Sequence, residues 1–233
     1  MNDPTILITG GHATPAIAVV EQLRKIHPSW KVVWVGRKYA MEGSQSQSGE
    51  YQLISTMDIP FINLTTGRLQ RRFSLYTISS LMKFPIGILQ SFLILWKYKP
   101  VIIVSFGGYI ALPVALAAYL LRIPLLTHEQ THKPGLANAI IGALAQKICV
   151  TFPETLSYVP SKKAVVTGLP IRSEIVKPVL HSSFPTPKEN LPILYMTGGS
   201  TGAQSLNEKL FVFIPELVKD TIIIHQTGDA SFE

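Results

Sequence analysis

Cysteine is almost missing: Cys149 is the only one in 233 residues. That excludes a disulfide scaffold and a multi-cysteine zinc site. Its setting, Lys147-Ile-Cys-Val-Thr151, reads as a strand. Charge is scarce as well, with 15% charged residues against 47% hydrophobic ones. Mean hydropathy is +0.28. Disordered chains have the reverse balance, so there is material here for a sizeable core. At roughly 100–200 residues per domain, the length allows one large domain or up to two small ones. The start, Met1-Asn-Asp-Pro4, lacks the basic region of a signal peptide. With the single cysteine, this points to a reducing, cytoplasmic setting. No apolar run reaches the roughly 20 residues of a bilayer span. Phe84–Trp96 is too short, and Ile110–Leu126 is interrupted by Pro113, Arg122 and Pro124.

Acidic residues are absent between Ile59 and His128. That stretch holds Arg68, Arg71, Arg72, Lys83, Lys97, Lys99 and Arg122. The whole chain has 21 Lys and Arg against 14 Asp and Glu, so these seven bases account for the entire net +7. They are interleaved with Phe73, Leu75, Tyr76, Leu81, Met82, Phe84, Ile86, Ile88 and Leu89. Bases mixed with large apolar residues suit a helix lying on an anionic membrane surface. Arg68, Arg71, Arg72, Phe73, Leu75 and Lys83 are the candidate docking residues. A nucleic-acid surface would carry more Lys and Arg and less Leu and Ile, so none is expected as a partner. A core helix with solvated bases at its ends remains open beside the membrane reading.

Short β-branched runs alternate with longer helical patterns. Thr5–Thr9, Lys31–Gly36, Phe61–Leu64, Val101–Phe106, Pro124–Thr127, Ile148–Thr151 and Ala164–Thr167 read as strands. Helices are predicted from Pro15 to about Ile26, over Ser74–Tyr98 with a break near Pro85 and Gly87, and over Ala111–Leu121 and Gly135–Gln146. Residues 37–58 read as loop with a short helix. This alternation predicts a doubly wound α/β domain on a mostly parallel sheet, residues 1–176. Residues 177–192, with Pro178, Pro185, Pro187 and Pro192, read as a linker. The pattern then restarts in 193–233 as strand Ile193–Thr197, helix Ala203–Val218 and strand Thr221–Gln226. One β-α-β unit cannot bury both of its faces, so this second domain is expected to be incomplete.

Glycine pairs sit at predicted strand ends, where such sheets bind ligands. Thr197-Gly-Gly-Ser-Thr-Gly-Ala-Gln204 opens a helix, and its amides with the Ser200 hydroxyl suit a phosphate. It is not a P-loop, because no Gly-Lys-Ser/Thr follows. A tight turn alone is the other reading. Thr9-Gly-Gly-His-Ala-Thr-Pro15 occupies the same position after the first strand and adds His12. A histidine there can act as a general base or simply cap the helix. His128-Glu-Gln-Thr-His132 matches a zinc-protease string, but it follows a strand and precedes Pro134-Gly135. The helix that would bring both histidines to one face is not expected, so no metal site is assigned. Gly168-Leu-Pro-Ile-Arg172 ends in an arginine suited to a diphosphate, or to a salt bridge with Glu174.

Taken in order, seven segments resemble the MurG-type bacterial transferases, glycosyltransferase family 28. They are Gly10-Gly-His12 with Pro15-Ala16, Ser105-Phe-Gly-Gly-Tyr109, His128-Glu-Gln130, Gly135-Leu136-Ala-Asn138, Gly168-Leu-Pro-Ile-Arg172, Gly198-Gly-Ser200 with Gly202-Ala203, and His225-Gln-Thr-Gly228. The likeness implies a GT-B fold, two Rossmann-like domains facing a cleft. It implies inverting transfer of GlcNAc from UDP-GlcNAc to the MurNAc-pentapeptide on undecaprenyl diphosphate, in peptidoglycan synthesis. No cofactor or metal is implied beyond the donor substrate. The implied location is peripheral, on the cytoplasmic face of the cell membrane.

The likeness also implies roles. His12 would take the proton of the acceptor hydroxyl. Thr9, Gly10 and Gly11 would shape the diphosphate and acceptor loop. Arg172 and Ser200 would bind the donor diphosphate, and Tyr109, Thr131 and Asn138 count among the substrate-binding positions. Thr131 stands where the family usually has an asparagine that contacts the donor. The family's later uracil- and ribose-binding segment does not follow His225-Gln-Thr-Gly228, so the chain alone is expected to fold only in part or to be inactive unless another polypeptide completes it. Two other functions stay open. One is a membrane-docking subunit that binds acceptor lipid, and the other is a family 28 transferase with a different lipid acceptor.

Overall fold

The computed structural model describes residues 3–39, 47–67, 75–176, 191–199 and 202–228, with backbone alone for 75–81. The chain divides into two compact units, Met1–Lys177 and Pro178–Glu233.

Unit 1 is built on seven strands. They are β1 (Thr5–Thr9), β2 (Lys31–Gly36), β3 (Phe61–Asn63), β4 (Ile102–Ser105), β5 (Leu125–Glu129), β6 (Lys147–Val150) and β7 (Ala164–Val166). The sheet order is β3-β2-β1-β4-β5-β6-β7, and every pair is parallel. Thr9 pairs with Val35 on one side and Ser105 on the other. Buried parallel strands have both faces covered, which is why TILIT and KVVWVG are near-continuous apolar runs.

Helices α1 (Ala13–Ile26) and α2 (Gly49–Ser55) cover one face, where Ile6, Ile8, Ile17, Val20, Trp34 and Ile54 are buried together. Helices α3 (Leu75–Tyr98), α4 (Ala111–Leu120) and α5 (Leu136–Leu144) cover the other, around Leu7, Ile103, Leu95, Val114, Ile141 and Ile148. Helix α4 is apolar all round because α3 and α5 pack on its two sides. A short helix, α6 (Ser173–Val176), closes the unit.

Three expectations change. Helix α1 starts at Ala13 rather than Pro15. Proline is tolerated in the first turn because the N–H groups there have no intrahelical acceptor. Helix α3 is continuous through Pro85. Phe84, Phe92 and Leu95 pack on the core from either side of the proline, and that packing outweighs the one lost hydrogen bond. Gly87 marks a close approach rather than a break, since a Cβ there would sit 2.9 Å from the Thr65 carbonyl oxygen.

The third change lies in unit 2. Its strands β8 (Ile193–Thr197) and β9 (Ile222–Gln226) pair in parallel. The single helix expected over 203–218 is two, α7 (Gln204–Phe211) and α8 (Ile214–Leu217). Pro215 enters the first turn of α8 and has no N–H to continue α7.

Candidate functional site

The sheet order places β1 beside β4, where the winding direction reverses. In open α/β sheets this reversal marks the ligand crevice beyond the strands' carboxyl ends. The two exits lie close together. The Phe106 amide donates to the Thr9 carbonyl at 2.7 Å, and the Gly11 amide donates to the Gly107 carbonyl at 2.9 Å. Gly10 has φ +140, and a Cβ on it would sit 2.7 Å from the Phe106 carbonyl carbon. Only glycine lets these strand ends cross so closely.

His12 caps α1 by position, but its side chain makes no capping hydrogen bond. Its Nδ1 lies 2.8 Å from the side-chain amide of Gln130, which follows β5. Burial lowers the His12 pKa below its ordinary value; Glu129 opposes that shift and His128 adds to it. A neutral imidazole is therefore available at neutral pH, as a general base requires. The Gln130 amide can present either end. Its NH2 group donates to Nδ1 and leaves the proton on Nε2. After a half-turn its oxygen accepts from Nδ1–H and frees Nε2.

Glu129 is 4% exposed and its carboxylate is well supplied with donors. Oε1 accepts from the Thr131 amide at 2.9 Å and the Thr131 hydroxyl at 2.6 Å. Oε2 accepts from Asn138 Nδ2 at 2.7 Å. Asn138 Oδ1 in turn accepts from the Gly108 amide, also at 2.7 Å. The side chains of Thr131 and Asn138 thus brace Glu129 to the β4 exit. Thr9 is 1% exposed and its hydroxyl is buried without a partner, so its contact with the β4 exit is through its backbone. Tyr109 accepts from Arg37 Nη1 at 2.8 Å. Arg37 was missed in the sequence, although it is a base directly after a strand.

Arg172 lies elsewhere in unit 1. It pairs with Glu174 at 2.5 Å, and its Nε is 3.8 Å from Glu21 on α1. Glu21 also accepts from the Ser173 amide and hydroxyl at 3.2 and 3.0 Å. A diphosphate on Arg172 would have to exchange with these carboxylates. The His128–His132 string runs from β5 into a turn, so no helix aligns the two rings. His128 Nε2 donates to the Gly168 carbonyl at 3.1 Å, and His132 stacks on Phe152.

In unit 2 the glycine turn after β8 is tied to the end of β9. The Gly199 amide donates to Thr197 Oγ1 at 3.1 Å, and that hydroxyl donates to Gln226 Oε1 at 2.9 Å. Buried Asn207 donates to the Thr227 carbonyl and accepts from His225 Nε2. Ser200 lies outside the described residues, as do Arg68, Arg71, Arg72 and Phe73.

Leu75 opens α3, and Lys83 is half-buried on it. Met82, Ile86, Leu89, Leu93 and Trp96 are exposed at alternating spacings of four and three, which places them on one helix face. Exposure reaches 63% at Leu89 and 76% at Trp96. The helix is therefore not simply a core helix with solvated ends. Among the described residues, no helix is long and apolar enough to cross a membrane.

Residues 9–150 match the model of the glycosyltransferase family 28 N-terminal domain. The chain is similar to UDP-N-acetylglucosamine--N-acetylmuramyl-(pentapeptide) pyrophosphoryl-undecaprenol N-acetylglucosamine transferases. It is 36% identical to that of Treponema denticola over 230 residues, 97% of this chain and 59% of the relative. It is 38% identical to that of Borrelia hermsii over 221 residues, 94% of this chain and 59% of the relative. The chain thus spans about three-fifths of the length of these relatives. Among solved structures, Acinetobacter baumannii MurG aligns at TM-score 0.60 with 28% identity, covering 97% of this chain and 59% of that one. A UDP-GlcNAc 2-epimerase from Neisseria meningitidis aligns at TM-score 0.57 with 17% identity, covering 95% and 66%, which is a likeness of fold alone.

Proposed function

This chain belongs to glycosyltransferase family 28, and we propose that it carries the acceptor side of a GlcNAc transfer. The donor is UDP-GlcNAc, and the acceptor is the MurNAc-pentapeptide on undecaprenyl diphosphate. The names of its relatives support this choice of substrates. The observation that carries the mechanism is the Gln130 side chain 2.8 Å from His12 Nδ1 at the β1–β4 reversal, where burial lowers the His12 pKa. Once Gln130 presents its oxygen, His12 Nε2 takes the proton of the acceptor hydroxyl. The hydroxyl oxygen forms a bond to the anomeric carbon as the bond to UDP breaks with inversion. The electron pair leaves with UDP, whose developing charge falls to the groups that bind the donor. No metal or other cofactor is assigned to these steps.

The apolar stripe on α3, with Lys97 and Lys99 at the helix end, docks the chain on the anionic cytoplasmic leaflet. Where the donor-binding residues are not part of the same polypeptide, a completing chain supplies them. Transfer of labelled GlcNAc to the lipid-linked acceptor tests the reading. His12→Ala should lower the rate by about 10²–10⁴-fold, the usual worth of a general base. Unchanged transfer would remove His12 from the role. The exposed α3 stripe also fits a second reading, a non-catalytic subunit that binds acceptor lipid. Liposome co-sedimentation without UDP-GlcNAc binding would select it.

A further inference from the structure

A separate concavity of about 250 Å³ lies beside the His12 turn, lined by Gly11, Arg37, Ser48, Glu50 and Tyr109 among others. Three loops build it. Gly11 follows β1, Arg37 follows β2 and Tyr109 follows β4, so it opens at the same carboxyl ends as the catalytic turn. Arg37 holds Tyr109 through one guanidinium nitrogen at 2.8 Å. Its backbone amide donates to Glu50 at 3.3 Å, but among the described residues no carboxylate forms an ion pair with the guanidinium itself. Glu50 is turned instead to the Trp34 indole, which donates to it at 2.6 Å.

Burial pushes the Glu50 carboxyl up to about 7, against the Trp34 and Arg37 hydrogen bonds and the Arg37 charge. Near neutral pH much of it is uncharged and leaves the Arg37 charge uncompensated. The other charged or titratable neighbours do not cancel that charge. Lys38 places its ammonium over the Tyr39 and Tyr51 rings, and His12, whose pKa burial lowers, brings no negative charge. Complete ligand sites usually enclose about 300–1,000 Å³, so this volume suits one pendant group rather than a sugar nucleotide. A guanidinium with donors to spare matches the two-oxygen edge of a phosphate or carboxylate.

We infer that this cavity is a subsite for a compact oxyanion, a phosphate or a carboxylate, borne by the acceptor molecule and gripped by Arg37 beside Tyr109. Assigning the anion to the acceptor rests on the transferase reading; binding of the anion does not. An anion next to Glu50 disfavours the carboxylate, so binding takes up a proton and strengthens as pH falls from 8 to 6.

The test titrates the 233-residue chain with sodium phosphate and, separately, with sodium acetate at pH 6 and pH 8. The Trp34 indole N–H and Arg37 Nε–H resonances are followed. Saturable shifts at least about tenfold weaker in Arg37→Gln are expected, from the worth of a charge-assisted hydrogen bond, and the acetate shifts should be tighter at pH 6. Arg37→Lys should retain part of the binding, and Glu50→Gln should bind acetate, whose charge is constant between pH 6 and pH 8, with no pH dependence. A response to phosphate alone identifies a phosphate ligand, and one to acetate alone a carboxylate. No saturable shift with either anion, or equal affinity in an Arg37→Gln chain whose Trp34 resonance shows it folded, overturns the subsite. In transfer assays Arg37→Gln should raise the acceptor KM by about tenfold or more and leave the donor KM unchanged. An unchanged acceptor KM with intact anion binding overturns the acceptor assignment. Anion binding by a wild-type chain that transfers nothing to any acceptor even when the donor-binding part of the protein is supplied sinks the transferase reading and leaves the anion site standing.

Discussion

Replacing Gln130 by glutamate puts a carboxylate where an amide now lies 2.8 Å from His12 Nδ1. The wild-type ring is held below its ordinary 6.5 mainly because burial penalises the imidazolium. Glu129 opposes that penalty, but its carboxylate already serves Thr131 and Asn138. An opposite charge at such range typically raises a histidine pKa by about 1–3 pH units. His12 is only half-buried and water screens the pair, so a rise of about 1–2 is expected, worth roughly 1.4–2.7 kcal/mol. The sign is definite. The variant holds its imidazolium to higher pH, so less of His12 is available as a base at a given pH and the base recovers as pH rises. A carboxylate can only accept, so Nδ1 keeps a proton and the neutral ring has Nε2 free. The assay is an NMR titration of the six histidine rings, with the His12 signal assigned by its loss in His12→Ala. Gln130→Leu should leave the midpoint low. An unchanged or lower midpoint in Gln130→Glu would refute the pairing.

Glu50→Gln should stabilise the chain at pH 8 and not at pH 4. The raised carboxyl loses stability as pH climbs from 4.5 through about 7, a ceiling of about 3 kcal/mol at about 1.4 kcal/mol per pH unit. Urea melts at the two pH values decide it, and an equal difference at both would count against burial as the cause. Asn138→Ala should cost about 1–3 kcal/mol, because it strips a donor from Glu129 and an acceptor from the Gly108 amide. Thermal melting measures that, and an unchanged Tm would show the brace to be dispensable. Leu89→Glu, on the exposed face of α3, should move stability by no more than about 0.5 kcal/mol and reduce sedimentation with anionic liposomes. Undiminished sedimentation would take that face out of membrane docking.

The bounds of β1, β2 and β8 were legible because a strand covered on both faces, or one that ends in a glycine turn, announces itself in consecutive residues. Local breakers misled in α3 and in 203–218 for opposite reasons. Pro85 lies where core packing on both sides sustains the helix, whereas Pro215 lies where a short, mostly exposed helix has little packing to hold it. The glycine turns that follow β1, β4 and β8, and the position of His12 in the first of them, were legible for the same local reason as the strands. Gln130 meets His12 across 118 positions, and Arg37 meets Tyr109 across 72. No spacing rule reaches that far, because both meetings depend on which strands become neighbours.

That strand order also explains why Thr131 and Asn138 are drawn inward. With β1, β4 and β5 adjacent, three exits converge at one edge of the sheet, and each brings backbone amides that need acceptors. Glu129 sits at the end of β5 with its carboxylate almost out of solvent. A charge so placed needs donors on both oxygens, and Thr131 and Asn138 supply them. In doing so Asn138 also takes the Gly108 amide, so that one carboxylate ties the β5 exit to the β4 exit, which the Gly11 amide ties to the β1 exit. Gln130 is the residue next to that anchor, which is why its amide is in place to meet His12. On this account, loosening Glu129 should disturb the His12 titration even though no substrate contact changes.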